Sequence, residues 1–500
     1  MKIAFASSEA YPYAKTGGLG DVVGTLPIEI SKLGHEVIVF LPKYNTITIE
    51  EHNLKLCSDL GEISIQVGTS SHKVQVYTTK LPDSDVNVYF ADCPYYFCRF
   101  EIYTKDKDED ERFILFSKSV LEILQRLKFP PGILHCNDWH TGLLPLLLKE
   151  NYAWDKLFTK TATVFTIHNI AYQGVFPKES FTKADINPEH TAPFGIGEYY
   201  GKINFLKTAI LTSDIINTVS ETYVKELLTE DFGAGMEFFL KKREKDFYGI
   251  LNGVDYNIWN PEKDVYIPHH YNLSDLSAKL KDKKALLKRV NLPADEKKPL
   301  IGIISRLVEQ KGFSLFENIT EELMKLDAVW VILGNGEPKY EEMLSAMAKK
   351  NPGKISLYLG YYDELAHMIE AGADIFLMPS RFEPCGLNQI YSLKYGTVPV
   401  VRKTGGLADT VEDWNESLAN GNHTGTGFSF KDFTPQKMID ALQRALTCYK
   451  NKPTWKKIQL NGMNKNYSWK KSAEKYVSLY ETAVQKRTAD KLKDLPGIIE

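Results

Sequence analysis

The sequence predicts an α/β protein with two doubly wound domains, each a parallel sheet covered by helices. Short apolar runs alternate with longer amphipathic stretches, and this alternation is typical of buried parallel strands separated by helices. It occurs twice, on either side of the segment 249–255. A chain of 500 residues is also too long for one hydrophobic core. Two such domains facing each other would enclose a deep cleft at the carboxyl ends of their strands, where ligands of doubly wound sheets bind.

The first series of strands and helices occupies roughly the first half of the chain. Its apolar runs predict strands at 2–7, 36–42, 132–136, 162–168 and 214–220. Amphipathic patterns at 111–129 and 202–213 predict helices, and strict alternation within 61–91 predicts hairpins that extend the sheet. The charged run KDKDEDER at 105–112 mixes both signs and predicts a solvated loop.

The second series repeats this pattern. Its apolar runs predict strands at 299–305, 328–334, 354–360, 374–380 and 397–401. Helices are predicted between them, for example at 337–350 and 386–396. We therefore expect an N-terminal domain at 1–248 and a C-terminal domain at 249–465. A last helix at 466–487 is expected to join the first domain, although its pattern also fits packing on the second.

Composition and charge exclude several classes of protein. The formal net charge is −3 and 25% of the residues are charged, so nothing indicates a nucleic-acid or membrane-surface partner. Six scattered cysteines without C-x-x-C spacing fit a reducing compartment. The first residues, MKIAFASSEA, lack the features of a signal or transit peptide, and no apolar stretch approaches the roughly 20 residues of a membrane span. These observations predict a soluble, cytoplasmic protein.

A glycine-rich phrase, KTGGLGDVVG, begins at Lys15 before a predicted helix, and a near-copy, KTGGLADTVE, begins at Lys403. A loop between a strand and a helix N-terminus is a common place for a phosphate. Gly18 and Gly20 fit the first two positions of a dinucleotide fingerprint, but Val23 occupies the third, and no Walker sequence occurs. The loop predicts either a site for phosphate or sugar oxygens, aided by Lys15, or ordinary turn chemistry.

In the second domain, charged residues follow predicted strands. Arg306 and Lys311 follow the strand at 299–305 and suit a pyrophosphate, although two solvated surface cations would give the same pattern. Glu383 follows a later strand, where a carboxylate can hold sugar hydroxyls, stabilise developing positive charge or cap the next helix. Cys385 fits a small buried residue better than a nucleophile.

Two segments of the first domain, 135–142 and 166–174, bring Asp138, His140 and His168 to strand ends. Their spacing matches no metal-ligand motif, and the D-x-D sequence at 83–85 is interpreted as a turn between hairpin strands. Lysine and arginine side chains could balance a leaving diphosphate, so no metal ion is expected.

Taken together, these motifs resemble the glycogen and starch synthases of the bacterial and plant type. That family consists of retaining glucosyltransferases with the two-domain glycosyltransferase-B fold. The matching stretches run in family order across most of the chain: KTGGLGDV (15–22), HCNDWHTG (135–142), TIHNIAYQG (166–174), LNGVD (251–255), SRLVEQKG (305–312), GYYDELAH (360–367), RFEPCGLNQ (381–389) and KTGGLADTV (403–411).

The resemblance implies a role for individual residues. It implies that six side chains belong to the catalytic set, namely Lys15, Asp138, His168, Arg306, Lys311 and Glu383. It implies donor contacts for Lys15, Gly18, Asp21, Asn252, Arg306, Lys311, Tyr361, Cys385, Gly386, Leu387, Thr404, Gly405 and Gly406. Departures from the common family pattern occur at Asn137, Met236 and Asn388 and leave the charged set intact.

The activity implied by the resemblance is transfer of glucose from ADP-glucose to the non-reducing end of an α-1,4-glucan, without a metal or other cofactor. UDP-glucose stays open as the donor, and a plastid location stays open if the chain is a trimmed plant enzyme. Two alternatives also remain: another enzyme of the same fold, such as a sucrose synthase relative or a phosphorylase, and a catalytically silent glucan-binding protein. Oligomeric state is not predicted. Both glycine-rich loops are expected to face one cleft, with Lys403 solvated.

Overall fold

The computed structural model describes residues 1–493, and these form two compact units. The first unit comprises 1–219, 224–253 and a C-terminal helix that begins at Trp469. The second comprises 254–468 together with 220–223. Within the described residues no helix is long and apolar enough to cross a membrane.

The first unit contains a 10-stranded sheet and a small 3-stranded sheet, and the strands of the small sheet lie within residues 175–204. The strands are, in chain order, β1 Lys2–Ala6, β2 Glu36–Pro42, β3 Lys55–Leu56, β4 Ile63–Val67, β5 Ser70–Lys80, β6 Asn87–Asp92, β7 Ile133–Asn137, β8 Ala162–Ile167, β9 Val175–Phe176, β10 Glu198–Tyr199, β11 Lys202–Asn204, β12 Ile215–Thr218 and β13 Phe247–Gly249. The helices between them are α1 Gly18–Lys32, α2 Pro94–Phe97, α3 Glu109–Arg126, α4 Leu144–Lys149, α5 Glu179–Lys183, α6 Phe205–Thr212, α7 Glu221–Leu227 and α8 Glu237–Lys242.

The large sheet is parallel over most of its width. Strands β13, β12, β8, β7, β1, β2 and β6 are neighbours in that order and all run parallel. Strand β5 then pairs antiparallel with β6, and β3 and β4 each pair antiparallel with β5. The predicted strands and the hairpins that extend the sheet are confirmed, because the apolar runs form its buried centre.

Two predictions for the first unit were wrong in part. The segment 202–204 forms β11 of the small antiparallel sheet, and α6 begins only at Phe205. The reason is Asn204, whose extended backbone and side chain cap the helix by accepting from Lys207 N. The predicted helix at 202–213 therefore includes a strand at its start.

The charged run at 105–112 is the second correction, because its end is buried and helical. Helix α3 begins at Glu109, and the Arg112 side chain is fully buried. Its guanidinium donates to Glu109 Oε2 at 2.7 Å, to the Tyr96 carbonyl at 2.9 Å and to the Ile102 carbonyl at 3.0 Å. These acceptors offset the cost of burying the charge. Mixed charge in a sequence does not reveal such pairing.

The second unit contains one six-stranded sheet, in which every neighbouring pair is parallel. Its strands are β14 Leu300–Ile304, β15 Val329–Gly334, β16 Ile355–Leu359, β17 Ile375–Met378, β18 Val398–Arg402 and β19 Phe428–Phe430. They lie in the order β16, β15, β14, β17, β18, β19. Its helices are α9 Ser277–Arg289, α10 Thr320–Lys325, α11 Pro338–Lys350, α12 Asp363–Gly372, α13 Asn388–Lys394, α14 Gly405–Thr410, α15 Trp414–Ala419, α16 Pro435–Tyr449 and α17 Lys452–Met463.

Both faces of this sheet are buried at its centre, which explains the nearly continuous apolar runs of its central strands. In β15, Trp330 and Ile332 belong to one hydrophobic cluster, while Val329 and Val331 belong to another. Because alternate side chains of a strand point to opposite faces, a strand that lies between both clusters needs apolar residues on both faces, as β15 has. The predicted strands of the second series are confirmed.

The C-terminal helix, Trp469–Lys493, packs on the first unit. Its Tyr480 hydroxyl lies 2.7 Å from His135 Nδ1 on β7, and its Tyr476 hydroxyl accepts from Asn217 on β12 at 3.1 Å. Both tyrosine rings are buried. The helix Trp469–Lys493 is therefore part of the layer that covers the first sheet.

Candidate functional site

In both units the sequence-predicted site residues follow the carboxyl ends of parallel strands, where ligands of doubly wound sheets bind. In the first unit these residues include Lys15 after β1, Asp138 after β7, His168 after β8 and Asn252 after β13. In the second unit they include Arg306 and Lys311 after β14, Tyr361 after β16, Glu383 after β17 and Thr404 after β18.

Glu9, which the sequence reasoning missed, holds the glycine-rich loop of the first unit. Its side chain is buried, and it accepts from the N–H groups of Thr16 at 2.7 Å and Gly17 at 3.2 Å. The Thr16 and Tyr103 hydroxyls also donate to it, each at 2.6 Å. A buried carboxylate with so many donors fixes the backbone around it. Glu9 thereby sets the position of Lys15.

Lys15 and Asp21 form an ion pair at the start of α1. The Nζ and Oδ1 atoms lie 2.7 Å apart, and the side chains are 40% and 31% exposed. Burial raises the pKa of Asp21, and the charge of Lys15 opposes this rise. Helix α1 begins at Gly18, where an added Cβ would meet no atom within 4 Å. A lysine beside a helix N-terminus that faces open space favours a site for anionic oxygens over ordinary turn chemistry.

Asp138 joins the end of β7 to the segment after β8. Its backbone has a φ of 55°, and its Oδ1 atom accepts from the N–H of His168 at 2.8 Å. Burial raises the pKa of Asp138 to about 7, opposed by the N–H groups of His168 and Asn169. The carboxyl group thus positions the His168 backbone.

His168 is held in one tautomer by Asn137, a residue that the sequence reasoning noted only as a departure from the family pattern. The Asn137 amide donates from Nδ2 to the Ala6 carbonyl at 3.1 Å, so its oxygen is the acceptor for His168 Nε2 at 3.0 Å. The proton therefore resides on Nε2. Burial lowers the pKa of His168 to about 3, and the ring is neutral at physiological pH. It can contact a sugar by hydrogen bonding but not as a cation.

Asn252 presents a buried acceptor without a partner. The residue is 6% exposed, and its Oδ1 atom has no hydrogen bond to residues 1–493. Leaving such an atom unsatisfied costs about 1–3 kcal/mol, so a ligand that supplies a donor would remove this cost. His140, by contrast, packs with its ring centroid 4.0 Å from that of Trp139 and 4.7 Å from that of Tyr103. Its place is in the aromatic layer behind the strand ends.

In the second unit, Lys311 and Glu383 form a close pair. Lys311 donates from Nζ to Glu383 Oε2 at 2.6 Å, and the Ser380 hydroxyl donates to the same oxygen at 2.9 Å. The side chains of Lys311 and Glu383 are 19% and 6% exposed. Lys311 ends a short 3₁₀ helix, Glu309–Lys311, and Gly312 follows with a φ of 83°. Ser380 was also missed by the sequence reasoning, although it stands only three positions before Glu383.

The second glycine-rich phrase packs directly on the backbone of the Glu383 loop. An added Cβ at Gly405 would lie 2.0 Å from the Glu383 carbonyl oxygen, and one at Gly406 would lie 2.0 Å from the Cys385 carbonyl oxygen. The Gly406 N–H donates to Glu383 O at 3.1 Å. Only glycine permits this approach. Cys385 itself is buried, as expected.

The other residues predicted for the site in the second unit stand before helices or at exposed positions. Gly386 has a φ of 71° and Leu387 precedes the first residue of α13, while Thr404 precedes α14. Arg306 is exposed, and its guanidinium makes no hydrogen bond or ion pair with the described residues. Tyr361 is 68% exposed. A cation and an aromatic ring thus remain accessible to a ligand at the strand ends.

The D-x-D sequence forms a turn, as predicted. Asp83 and Asp85 lie between β5 and β6, and Asp85 pairs with Lys80 at 2.7 Å. Across residues 1–493 no group of three or more histidine, cysteine or acidic side chains is arranged to hold a metal ion.

Two family models match the chain in sequence order. The model of the starch synthase catalytic domain matches residues 2–242, and the model of group 1 glycosyl transferases matches residues 286–460. The first match contains the Lys15, Asp138 and His168 loops, and the second contains the Lys311–Glu383 pair.

Individual relatives match almost the whole chain. The chain is 43% identical to the glycogen synthase of Geotalea daltonii, with 97% of this chain and 100% of that protein covered. It is 41% identical to the glycogen synthase of Thermotoga maritima, with 97% and 99% covered. The catalytic domain of starch synthase IV from Arabidopsis thaliana, bound to ADP and acarbose, has a similar structure, with a TM-score of 0.88 and 32% identity over 97% of this chain and 99% of that chain. This chain therefore belongs to the glycogen and starch synthase family, whose members are glycosyltransferases with the glycosyltransferase-B fold.

Proposed function

We propose that this glycogen or starch synthase transfers glucose from ADP-glucose to the non-reducing end of an α-1,4-glucan and keeps the α configuration. The observation that carries the proposal is the Lys311–Glu383 pair, packed against the Gly405–Gly406 backbone. It combines a cation suited to a diphosphate with a carboxylate suited to a sugar. The related starch synthase IV domain was solved with ADP and acarbose, which supports an adenine nucleotide as the donor group.

The second unit is proposed to hold the donor. Lys311 and Arg306 bind the diphosphate and stabilise the charge that develops as it leaves. Glu383 holds the transferred glucose, and Tyr361 stacks on the base through its exposed ring. The backbone of the two loops packed on each other, 385–387 and 404–406, supplies further contacts to the sugar and phosphates.

The first unit is proposed to act on the same donor and on the acceptor. Lys15 and the N-terminus of α1 at Gly18 face the phosphates, with Asp21 holding Lys15 in place. The unpartnered oxygen of Asn252 accepts a hydrogen bond from the donor substrate. The neutral His168 ring contacts the sugar near its anomeric carbon, and Asp138 positions that histidine.

The proposed reaction proceeds on one face of the glucose. The bond between the anomeric carbon and the diphosphate breaks, giving an oxocarbenium-like state. The acceptor hydroxyl then attacks from the face that the diphosphate leaves, and the departing phosphate oxygen takes its proton. Lys311 and Arg306 offset the negative charge on the diphosphate, while Glu383 and the neighbouring amides position the sugar. No protein nucleophile is required.

Radiolabelled donor provides the direct test. The protein is incubated with labelled ADP-glucose and glycogen, the polymer is precipitated, and parallel reactions contain labelled UDP-glucose. We expect label in the polymer and a clear preference for ADP-glucose. Incorporation from UDP-glucose alone would contradict ADP-glucose as the donor substrate. No incorporation from either nucleotide sugar would favour a catalytically silent glucan-binding protein. Calorimetric titration with ADP and UDP would measure the nucleotide preference independently of turnover.

A further inference from the structure

The first unit contains a cavity of about 330 Å³ that is separate from the candidate site. Its walls come from β4, α3, the segment after α4 and Asp185 after α5. Glu122 lies near the carboxyl end of α3, and Asn151–Trp154 lie beyond the carboxyl end of α4. Helices of a doubly wound fold return toward the amino ends of the strands. The cavity therefore lies toward the edge of the sheet opposite to the one that carries Lys15, Asp138 and His168.

Trp154 forms an exposed aromatic wall of this cavity. Its side chain is 73% exposed, although tryptophan is usually well buried. The indole Nε1 donates to the Asn151 carbonyl at 2.9 Å, which satisfies its one donor and restrains the ring. What the indole offers to a ligand is its apolar face. An apolar face beside hydrogen-bonding groups suits a ligand with alternating apolar and hydroxyl-bearing surfaces, such as a sugar.

The polar groups of the cavity are ordered by contacts with one another. Lys118 donates from Nζ to the Gln66 carbonyl at 2.7 Å and to Asp185 Oδ2 at 2.6 Å. The Tyr152 hydroxyl donates to Glu122 Oε1 at 2.8 Å. These bonds engage one oxygen of each carboxylate, and the other oxygen keeps its acceptor capacity within the described residues. The Gln66 and Ser64 side chains add donors and acceptors.

The charge of the cavity disfavours an anionic ligand. Glu122 and Asp185 contribute two negative charges, and Lys118 compensates only one of them. A phosphate or a nucleic acid would be repelled by this balance. The remaining carboxylate and amide groups are the acceptors and donors that sugar hydroxyls require. A ligand with a cationic group would also be attracted, and its binding would depend on the charge of Glu122.

We propose that this cavity binds a segment of an α-1,4-glucan through Trp154, at a distance from the site of transfer. The choice of polymer rests on the proposed function. A strand of five residues spans roughly 17 Å, so only an acceptor chain longer than that can occupy both places. Holding such a chain at Trp154 raises its effective concentration at the site of transfer, without any change in the reaction itself.

The binding test is electrophoresis through gels that contain glycogen, which measures how strongly the polymer retards the protein. We expect Trp154→Ala to weaken retention about tenfold and Trp154→Phe to keep most of it, because the face of a ring is what the sugar contacts. Tyr95→Ala is the matched control, since Tyr95 is 70% exposed and lies outside the cavity. Equal retention of Trp154→Ala and the wild-type protein, or an equal loss in Tyr95→Ala, would overturn the proposal.

Kinetics with two acceptors supply the second measurement. For Trp154→Ala we expect the KM for glycogen to rise about tenfold, with the KM for maltotriose and kcat on either acceptor unchanged. Unchanged maltotriose kinetics also show that the variant is folded. A rise in the KM for maltotriose of the same size would place Trp154 at the site of transfer and refute a separate site.

Glu122→Gln and added salt distinguish a glucan from a cationic partner. If the ligand is a neutral glucan, glycogen should retain the Glu122→Gln variant to within about twofold of the wild-type protein, because the amide still accepts from Tyr152. Raised salt should also leave the retention of the wild-type protein nearly unchanged. Loss of retention in both cases would show that retention depends on charge and not on the indole face, and would overturn the proposal. Failure of the proposed function has a different signature: the wild-type protein would be retained by glycogen yet transfer glucose to neither acceptor.

Discussion

The Nζ atom of Lys311 lies 2.6 Å from Oε2 of Glu383, although the two residues are 72 positions apart in the chain. The carboxylate is almost completely buried, and the lysine is its charged partner. A diphosphate that approaches Lys311 would therefore compete with Glu383 for the same ammonium group. A substitution at either position therefore changes the environment of the other.

For Glu383→Gln we expect kcat to fall at least about 100-fold while the unfolding temperature changes little. The amide keeps the volume of the side chain, and its oxygen can still accept from Ser380 and Lys311. The carboxylate charge that is proposed to act on the sugar is lost. Steady-state kinetics and thermal unfolding measure the two quantities. A variant that keeps near-normal kcat would remove Glu383 from the catalytic set.

For Lys311→Ala we expect the dissociation constant for ADP to rise about 10- to 100-fold, measured by calorimetry, because a diphosphate loses a charged donor. Lys403→Ala is the matched control. Lys403 is an exposed lysine paired with Glu416 at 2.6 Å, and it is the first residue of the second glycine-rich phrase, without a proposed ligand contact. Its variant should bind ADP like the wild-type protein. Equal weakening in both variants would indicate a general effect of surface charge.

For Gly406→Ala we expect the unfolding temperature to fall by about 5 °C and ADP binding to weaken. The new Cβ would lie 2.0 Å from the Cys385 carbonyl oxygen, so the two loops must separate, at a cost of about 1–3 kcal/mol. Gly132→Ala serves as the control, because its Cβ would make an ordinary 3.5 Å contact with the Lys2 carbonyl oxygen. Tolerance of Gly406→Ala in both measurements would show that the loops can shift without effect.

For Asp138→Asn we expect a changed dependence of stability on pH. Burial raises the pKa of Asp138 to about 7 in the folded protein, compared with about 3.9 in an unfolded chain. The folded state therefore binds this proton more tightly, so the contribution to stability is complete below about pH 4 and is lost as the pH rises to about 7. Asparagine can still accept from His168 N but does not titrate.

Denaturant unfolding at a series of pH values measures this effect. The free energy of unfolding of the wild-type protein, relative to the Asp138→Asn variant, should fall by a few kcal/mol between pH 4 and pH 7. Asp85→Asn is the control, since that carboxylate is 94% exposed and pairs with Lys80 at the surface. Parallel pH curves for the wild-type protein and Asp138→Asn would show that Asp138 does not titrate in this range.

The strands could be predicted from the sequence because parallel strands buried on both faces are mostly apolar, as β15 shows. The charged candidates, Lys15, Arg306, Lys311 and Glu383, could be singled out because side chains that follow such strands reach the binding edge of the sheet. The uncharged candidates, Asn252, Tyr361 and Thr404, came only from the family resemblance. Their individual roles stay predictions.

Glu9 and Asn137 could not be identified in this way. Each acts by holding another residue, Lys15 in one case and His168 in the other, and such contacts depend on the folded backbone rather than on a motif. The buried charge of Arg112 escaped prediction for the same reason: its partners are two carbonyl groups and a glutamate that only the fold brings together. A sequence shows that a residue is charged but not what surrounds it.

The C-terminal helix has a consequence for synthesis on the ribosome. Its buried Tyr476 and Tyr480 complete the layer over β7 and β12. In the sequence, however, residues 254–468 of the second unit lie between those strands and this helix. During translation, the first sheet is finished long before the helix that covers part of it emerges, and the second unit can fold in the meantime. The nascent first unit must therefore keep a strip of its sheet uncovered until this helix leaves the exit tunnel. Chains released before Trp469 would retain that exposed strip and are candidates for chaperone binding or degradation.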